Sequence, residues 1–368
     1  MIAPLSSSYR EARAAFLDAA HSAGARLTAF AHPRTGLHGE DLYIDVAEVG
    51  PATNDRVVLV VSGTHGVEGY CGSALQRTHL LRINPTTTEY DPRLGGGTTP
   101  GAPTLVFVHA LNPFGFSWVR RVNEDNIDLN RNFIDWSKPA PSNDDYDAMA
   151  DMLVPDSWDS ATQDRTLLEL MDALARFGMP KMQQIIQGGQ FRHPTGVFYG
   201  GSGPAWSHRW LREFIASRFA RVQRAAILDL HTGLGPWGHG SLLSSAQAGS
   251  PEHLRQVKWW GDVTADDASD SVSAQVAGGW LSTVAQFCPS TEVTEMCIEY
   301  GTVDGISVLQ SLRADAVLHA YGDPTSASAD AIRTQVRAAF ADDNPEWIAS
   351  CWRRYESVAT SAVRHLHD

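Results

Sequence analysis

An apolar run, Val57-Val58-Leu59-Val60-Val61, constrains the fold more than any other part of the sequence. Its length and its β-branched residues are typical of a strand that is covered on both faces. Such strands belong to parallel sheets flanked by helices, and ligands bind beyond their carboxyl ends. His65 and Glu68 follow the run directly. An imidazole nitrogen and a carboxylate oxygen at that edge form a pair of metal ligands that suits zinc.

The rest of the chain repeats the alternation of apolar strand and amphipathic helix. This alternation predicts an α/β fold of three layers, with helices on both faces of a central, mostly parallel mixed sheet. The strands are predicted at 26–30, 42–49, 57–62, 104–110, 225–230 and 293–300, and the helices at 9–23, 69–81, 167–187, 206–219, 306–321, 327–340 and 346–365.

The length of the chain favours one large domain. With 368 residues, 43% of them hydrophobic, the chain has enough apolar surface for a sizeable core. It contains no repeat and no linker, so residues 1–368 are predicted to form a single domain. The polar segment 135–159 contains three prolines and is predicted to be an excursion from the core.

The net charge bears on the partners of the protein, and the cysteines and N-terminus bear on its location. A formal charge of −13 argues against nucleic acid or an anionic membrane as the main partner. The four cysteines lie far apart without a CxxC motif, which is typical of a reducing compartment. The N-terminus lacks the basic start and apolar stretch of a signal peptide, and no apolar run approaches the length of a membrane helix. We therefore expect a cytoplasmic protein, and the sequence leaves its oligomeric state open.

His231 is the candidate for a third metal ligand. It follows the predicted strand 225–230 as His65 follows the run at 57–61, and a glycine-containing loop comes next. Two histidines and one glutamate leave one zinc position open for water, which is the pattern of a catalytic site. The alternative is an ordinary histidine at a strand end, in a chain that has 14 histidines.

A segment rich in asparagine and arginine, residues 120–133, follows another predicted strand. The guanidinium group of arginine presents a fork of donors that matches a carboxylate, and asparagine adds a further hydrogen bond. A second arginine at the same site would stabilise the oxyanion that develops on a carbonyl under attack. The alternative is a loop whose side chains only tie its own turns together.

Taken in order, these motifs resemble the zinc carboxypeptidase (M14) superfamily, which includes carboxypeptidase A and the branch of aspartoacylase and succinylglutamate desuccinylase. Within it, the sequence resembles in particular DUF2817, a group of uncharacterised bacterial metallopeptidases. The resemblance covers residues 40–310 and implies a fold like that of the zinc carboxypeptidases. It rests on His65-x-x-Glu68, Asn112-Pro113-x-Gly115, Arg121-Val122-Asn123, Asp128-Leu129-Asn130-Arg131-Asn132-Phe133, Asp229-Leu230-His231 and Glu299-Tyr300-Gly301.

The resemblance also implies a role for each matching residue. Glu295 is the rival to Glu299 as base, and Arg120 is the rival to Arg121. The implied roles are as follows: His65, Glu68 and His231 bind one Zn²⁺ ion, Glu299 is the catalytic glutamate, Arg121 polarises the scissile carbonyl, Asn130 and Arg131 hold the free carboxylate of the substrate, and Asp128 supports the first zinc histidine.

The sequence departs from the family pattern in two places. The tyrosine that caps the substrate in digestive carboxypeptidases has no assignable position, and Tyr199 and Tyr300 are its weak candidates. The stretch between Glu68 and His231 is longer than a minimal family member requires. We expect the extra length to be an insertion around residues 135–200 that walls the pocket.

Three functions remain open at this stage. The first is zinc-dependent hydrolysis of an amide or peptide bond next to a free carboxylate, by activated water with a glutamate as general base, on a small peptide. The second is an N-acyl amino acid deacylase with the same chemistry. The third is a non-catalytic homologue that binds peptide or metal, and the full set of ligands, base and arginines argues against it.

Overall fold

The computed structural model describes residues 2–83, 102–267 and 274–367. Within these residues, seven strands form one sheet in the order β1-β2-β4-β3-β5-β7-β6. The strands are β1 (Arg26–Thr35), β2 (Asp41–Val49), β3 (Arg56–Ser62), β4 (Thr104–His109), β5 (Arg224–Trp237), β6 (Gly240–Leu243) and β7 (Glu292–Gly301).

The four central strands, β4, β3, β5 and β7, run parallel to one another, and the outer strands β1, β2 and β6 pair antiparallel. The chain leaves β3 towards β4 on one side and leaves β5 towards β7 on the other. Between two neighbouring strands whose connections diverge in this way, a crevice opens at the carboxyl ends. The fold therefore places a binding crevice beyond β3 and β5.

Both faces of the sheet are buried, as the apolar run in β3 predicts. Val58 and Val60 belong to one core cluster, whereas Val57, Leu59 and Val61 belong to another, and all five side chains are inaccessible to solvent. Successive side chains on a strand point to opposite faces, so the two clusters lie on opposite sides of the sheet. The predicted three-layer α/β fold is confirmed.

Helices pack against both clusters. Residues of α1, α2, α10 and α14 join the cluster on one face, and residues of α9 and α11 join the cluster on the other. The helices are α1 (Tyr9–Ser22), α2 (Gly69–Arg82), α3 (Pro113–Trp118), α4 (Leu129–Asn132), α5 (Asp144–Asp147), α6 (Ala150–Leu153), α7 (Ser160–Phe177), α8 (Met179–Gln187), α9 (Trp206–Arg218), α10 (Pro251–Trp260), α11 (Val284–Phe287), α12 (Gly305–Tyr321), α13 (Ala329–Phe340) and α14 (Pro345–His367).

Two local predictions were wrong. The helix predicted over 167–187 is two helices, α7 and α8, because Gly178 between them has φ +77° and ψ 158°, a conformation that only glycine adopts readily. The segment 135–159 is not wholly outside the core, since Tyr146 and Leu153 are fully buried in a third cluster with residues of α12 and α13. Across the described ranges, no helix is both long enough and apolar enough to cross a membrane.

Candidate metal centre

The two candidate histidines lie at the crevice between β3 and β5. His65 is in extended backbone just before the 3-10 turn Gly66–Glu68, and it therefore follows the end of β3. His231 lies within β5, because this strand continues beyond the predicted end at residue 230. The pairing of β5 with β7 is interrupted only between Thr232 and Trp237. At this irregularity the backbone passes around the site, and the pairing with β7 resumes at Trp237.

The predicted ligands meet in the interior. His65 Nδ1 lies 2.8 Å from Glu68 Oε1, and His231 Nδ1 lies 2.8 Å from Glu68 Oε2. The two Nδ1 atoms are 3.2 Å apart, close to the separation of about 3.3 Å expected for two nitrogens on one tetrahedral zinc ion. One donor atom from each residue lies within 4.8 Å of the others, and all three residues are buried. This group is a candidate metal site, and its donor set fits zinc.

Carboxylates hold the outer nitrogen of each imidazole. Asp128 Oδ1 lies 3.1 Å from His65 Nε2, and Asp229 Oδ2 lies 2.6 Å from His231 Nε2. A carboxylate at the outer nitrogen fixes the tautomer and leaves Nδ1 free to bind a metal. The sequence motifs gave a role to Asp128 but none to Asp229. Asp229 could have been found from its position two residues before His231, because residues two apart on a strand share a face.

The charges of the site indicate that it is built to hold a cation. Burial alone would raise the pKa of Glu68, but the two histidines hold that pKa below its ordinary value. Burial alone would lower the pKa of His231, but Asp229 and Glu68 raise it well above its ordinary value. The two carboxylates therefore stabilise positive charge at this centre, and they would stabilise a bound metal ion in the same way.

Of the two adjacent arginines, only Arg121 reaches this centre. Its Nη1 donates to Glu68 Oε1 at 3.1 Å, and its Nε donates to Asp128 Oδ2 at 3.0 Å. Arg120 points elsewhere and forms a buried ion pair, at 2.9 Å, with Asp315 of α12. The positions of the two side chains agree with the preference for Arg121 over Arg120 that the motif spacing implies.

Arg131 is held less closely by carboxylates than Arg121 is. Its Nε donates to the carbonyl of Gln187 at 2.8 Å, and its Nη1 lies 3.8 Å from Asp128 Oδ1. Burial lowers the pKa of Arg131 to about 10, so the group stays charged at neutral pH. Beside it, Asn130 accepts a hydrogen bond from the Trp280 backbone with its side-chain oxygen, at 3.3 Å. Its Nδ2 has no partner within the described ranges and can donate to a ligand.

Glu299 and Glu295 differ in position rather than in acidity. Burial raises the pKa of each to about 7, assisted at Glu299 by the nearby charge of Glu68. Glu299 lines the cavity beside the histidines and accepts a hydrogen bond from the Leu234 backbone at 3.0 Å. Glu295 is bound by Ser245, at 2.9 Å from both its backbone nitrogen and its hydroxyl, and does not line the cavity.

One cavity of about 170 Å³ is bordered by the two histidines, by Arg121, Asn130 and Arg131, and by Glu299. Gln187 and Phe198 bring part of the segment 135–200 to its wall. Phe198 has φ +56°, which is uncommon for a residue with a side chain, and its ring lies 5.4 Å from the Arg121 guanidinium and 5.3 Å from that of Arg131. No sequence signal had singled out Phe198. The cavity is lined by His65, Arg121, Asn130, Arg131, Gln187, Phe198, His231, Thr232, Gly233, Leu234, Leu243, Ser244, Ser245, Thr264, Ala265, Asp266, Ala274, Val276, Gly279, Leu281, Ser282, Cys297, Glu299, Val308, Leu312 and Phe340.

Neither candidate capping tyrosine faces this cavity. Tyr300 packs into the cluster on the opposite face of the sheet, and Tyr199 packs into the core behind α9. Neither lies among the lining residues. The described part of the chain therefore has no tyrosine at the cavity wall.

A profile described as "Protein of unknown function (DUF2817)" matches residues 5–354. The chain belongs to this family. The predicted membership is confirmed, and the match extends beyond the predicted range of 40–310 at both ends. No protein among curated sequences matches the chain.

Three solved structures illustrate what the chain is similar to. Thrombin activatable fibrinolysis inhibitor matches with a TM-score of 0.50 and 10% identity, over 98% of this DUF2817 chain and 74% of that chain. Carboxypeptidase A from Helicoverpa armigera matches at 0.47 and 14%, over 92% and 74%. An aspartoacylase family protein from Mesorhizobium loti matches at 0.33 and 14%, over 80% and 66%. At such low identity the likeness concerns the fold alone, and the predicted carboxypeptidase-like fold is confirmed.

Proposed function

We propose that this DUF2817 protein is a zinc-dependent hydrolase that cleaves an amide or peptide bond next to a free carboxylate. One observation carries the proposal: the cavity that receives both candidate zinc histidines is also lined by a carboxyl group, Glu299, and by two arginines, Arg121 and Arg131. Ligands, base and anion-binding groups therefore face the same space, which amide hydrolysis requires.

His65, Glu68 and His231 would hold one Zn²⁺ ion through two Nδ1 atoms and the carboxylate. When bound, zinc lowers the pKa of water from 15.7 to about 7 and polarises a carbonyl oxygen. Asp128 and Asp229 keep the imidazoles oriented, through contacts of 3.1 Å and 2.6 Å with their outer nitrogens. The predicted cofactor is thus supported by a donor set that leaves one position open.

Glu299 is the proposed general base. A carboxyl group whose pKa is raised to about 7 exchanges protons readily near neutral pH. It would take a proton from the attacking water and then deliver it to the leaving amine. Its hydrogen bond from the Leu234 backbone, at 3.0 Å, holds one oxygen and leaves the other for this transfer.

The two arginines have separate proposed tasks. Arg121 is held by Glu68 and Asp128 through Nη1 and Nε. Its Nη2 donates to no other residue in the described part of the chain, and it would donate to the oxyanion that develops on the carbonyl. Arg131 and the Nδ2 of Asn130 would bind the free carboxylate. Burial opposes the charge of Arg131, and Asp128 offsets this only from 3.8 Å, so a substrate carboxylate at hydrogen-bond distance would add to its stabilisation.

The architecture is consistent with one catalytic domain. The proposed site draws on β3, β5, β7 and the segment 120–131, which lie far apart in the sequence. We propose that the segment 135–200 acts as the wall of the pocket, through Gln187 and Phe198. The Tyr146 hydroxyl donates to the Val197 carbonyl at 3.0 Å and holds two parts of this segment together, which supports that role.

A substrate panel tests the proposal. Purified protein loaded with zinc is incubated with dipeptides, with N-acyl amino acids and with the C-terminal amides of both, and products are detected by mass spectrometry. We expect cleavage only where a carboxylate is free, and none by Glu299→Gln. Preferred cleavage of N-acyl amino acids would assign the deacylase alternative. No cleavage of any class by zinc-loaded wild type would favour a binding protein and contradict the proposal.

A further inference from the structure

The metal-facing half of the site is held by a buried tryptophan. Trp280 Nε1 donates to Asp229 Oδ2 at 2.6 Å, and the same oxygen lies 2.6 Å from His231 Nε2. The other oxygen of Asp229 accepts from the Thr64 hydroxyl at 2.8 Å. Thr64, Asp229 and Trp280 are fully buried. Asp229 is therefore fixed by donors on both oxygens.

The backbone of the same tryptophan contacts the other half of the site. Its N–H donates to Asn130 Oδ1 at 3.3 Å, which sets the orientation of the Asn130 amide. The backbone just before Trp280 is also held in place, because the Gly278 carbonyl accepts a hydrogen bond from the Phe133 backbone N–H at 3.0 Å. A Cβ at Gly278 would lie 2.5 Å from the Arg131 carbonyl oxygen, so only glycine allows this close approach.

We propose that Trp280 is a positioning residue whose indole N–H orients His231 through Asp229, while its backbone N–H contacts Asn130. The inference rests on the proposed metal centre and goes beyond it. The indole N–H occupies one side of Asp229 Oδ2, so the carboxylate keeps its other side towards His231 Nε2. That arrangement keeps the proton on Nε2 and leaves Nδ1 as the atom for a metal.

A purely structural role makes a different prediction. Trp280 belongs to the core cluster below the site, so replacing its ring with a smaller side chain would lower the stability of the protein. A core role alone would not change the metal affinity of the folded protein. Metal affinity, measured beside stability, therefore separates a positioning role from packing.

Trp280→Phe is the test variant, since phenylalanine keeps an aromatic ring but lacks the N–H donor. Metal affinity is measured by competition with a zinc chelator on the purified full-length chain, and KM and kcat are measured on the substrate that wild type cleaves. We expect zinc affinity to fall by about 10–100-fold, as removal of an outer hydrogen bond to a ligand typically does. We expect KM to stay close to that of wild type, because phenylalanine keeps the backbone N–H that donates to Asn130.

Trp260→Phe is the matched control. The Trp260 indole donates to the Val358 carbonyl at 3.1 Å and packs against the cluster on the opposite face of the sheet. This variant loses a hydrogen bond of the same kind, and we expect its zinc affinity and KM to equal those of wild type. An equal loss of affinity in both variants would overturn the inference.

A double-mutant cycle shows whether Trp280 acts through Asp229. Asp229→Asn is expected to weaken zinc binding by itself, and adding Trp280→Phe to it should cost much less than in the wild-type background. Additive losses, or unchanged zinc affinity in Trp280→Phe, would overturn the inference.

If Trp280→Phe does not fold, benzothienylalanine at position 280 keeps the shape of the indole without its N–H and is assayed against the same outcomes. Failure of wild type to bind zinc would instead refute the proposed function itself.

Discussion

Glu299 and His231 are register partners on the neighbouring parallel strands β7 and β5. Their side chains therefore leave the same face of the sheet, and the candidate base stands beside a candidate metal ligand. The backbone N–H of Leu234, in the interrupted part of the pairing, donates to the Glu299 carboxyl at 3.0 Å. Strand register and one local irregularity thus place the carboxyl group that the proposed reaction needs.

Glu299→Gln should retain zinc and lose turnover. The amide has nearly the same shape as the carboxyl group but cannot take a proton, so we expect kcat to fall by roughly 10²–10⁴. Zinc content and kcat on the same preparation are the measurements. Glu295→Gln is the control and should retain turnover, because Glu295 does not line the cavity. The reverse result would make Glu295 the base.

His65→Ala should abolish stoichiometric zinc binding. The substitution removes one of three ligands and leaves Glu68 and Asp128 without the imidazole that lies between them. Metal content after dialysis, determined by elemental analysis, is the measurement. His193→Ala, which removes a histidine paired with Asp147 away from the cavity, should bind zinc as wild type does. Full metal content in His65→Ala would refute the site.

The adjacent arginines should give opposite phenotypes. Arg121→Ala removes a donor to the developing oxyanion, and we expect kcat to fall by roughly 10²–10³. Arg120→Ala leaves Asp315 buried without its partner, and we expect a loss of stability of about 3–5 kcal/mol with kcat of the folded protein unchanged. Urea unfolding and steady-state kinetics on both variants measure the contrast. A loss of kcat in Arg120→Ala at wild-type stability would reverse the assignment.

Arg131→Ala should weaken the binding of substrates that carry a free carboxylate. The charge-assisted hydrogen bonds it would make are each typically about 1.5–3 kcal/mol, so we expect KM to rise by roughly 10–100-fold. Comparison with the C-terminal amide of the same substrate isolates the effect. The variant should cleave the amide as poorly as wild type does, and an unchanged preference for the free acid would contradict the proposed clamp.

Glu295 should make the stability of the protein depend on pH. Burial raises its pKa from 4.5 to about 7, so between these values the folded chain keeps a proton that the unfolded chain has released. Stability therefore falls as pH rises through this window, by on the order of 3 kcal/mol, and the loss is complete above pH 7.

Urea unfolding at pH 4.5 and pH 8 measures this dependence. Glu295→Gln cannot release a proton, so the difference in stability between the two pH values should be smaller in that variant than in wild type. Because both proteins retain Glu299, the comparison isolates the contribution of Glu295. An equal pH dependence in the two proteins would contradict the raised pKa.

Local features of this site were predictable because they depend on neighbours in the sequence. His65 and Glu68 are three residues apart after a strand, and that spacing alone brings one ligand atom of each within reach of the other. The buried parallel strands were also predictable, because each depends on a continuous run of apolar residues that are neighbours in the sequence. Gly178 shows where local reasoning stopped short, since its φ of +77° separates two helices that the apolar pattern had joined.

The sequence by itself predicted six of the seven strands that the structure describes, the family and the residue types of a metal site, but not β6. Only the tertiary structure decided which residues meet. Glu68 and His231 are separated by 163 positions, and Asp229 and Trp280 by 51, so sheet register and packing bring them together. Arg121 and Arg120, or Glu299 and Glu295, are alike in type, and only the direction of each side chain separates them. The physical reason is that side-chain direction depends on contacts between distant segments, which no local pattern contains.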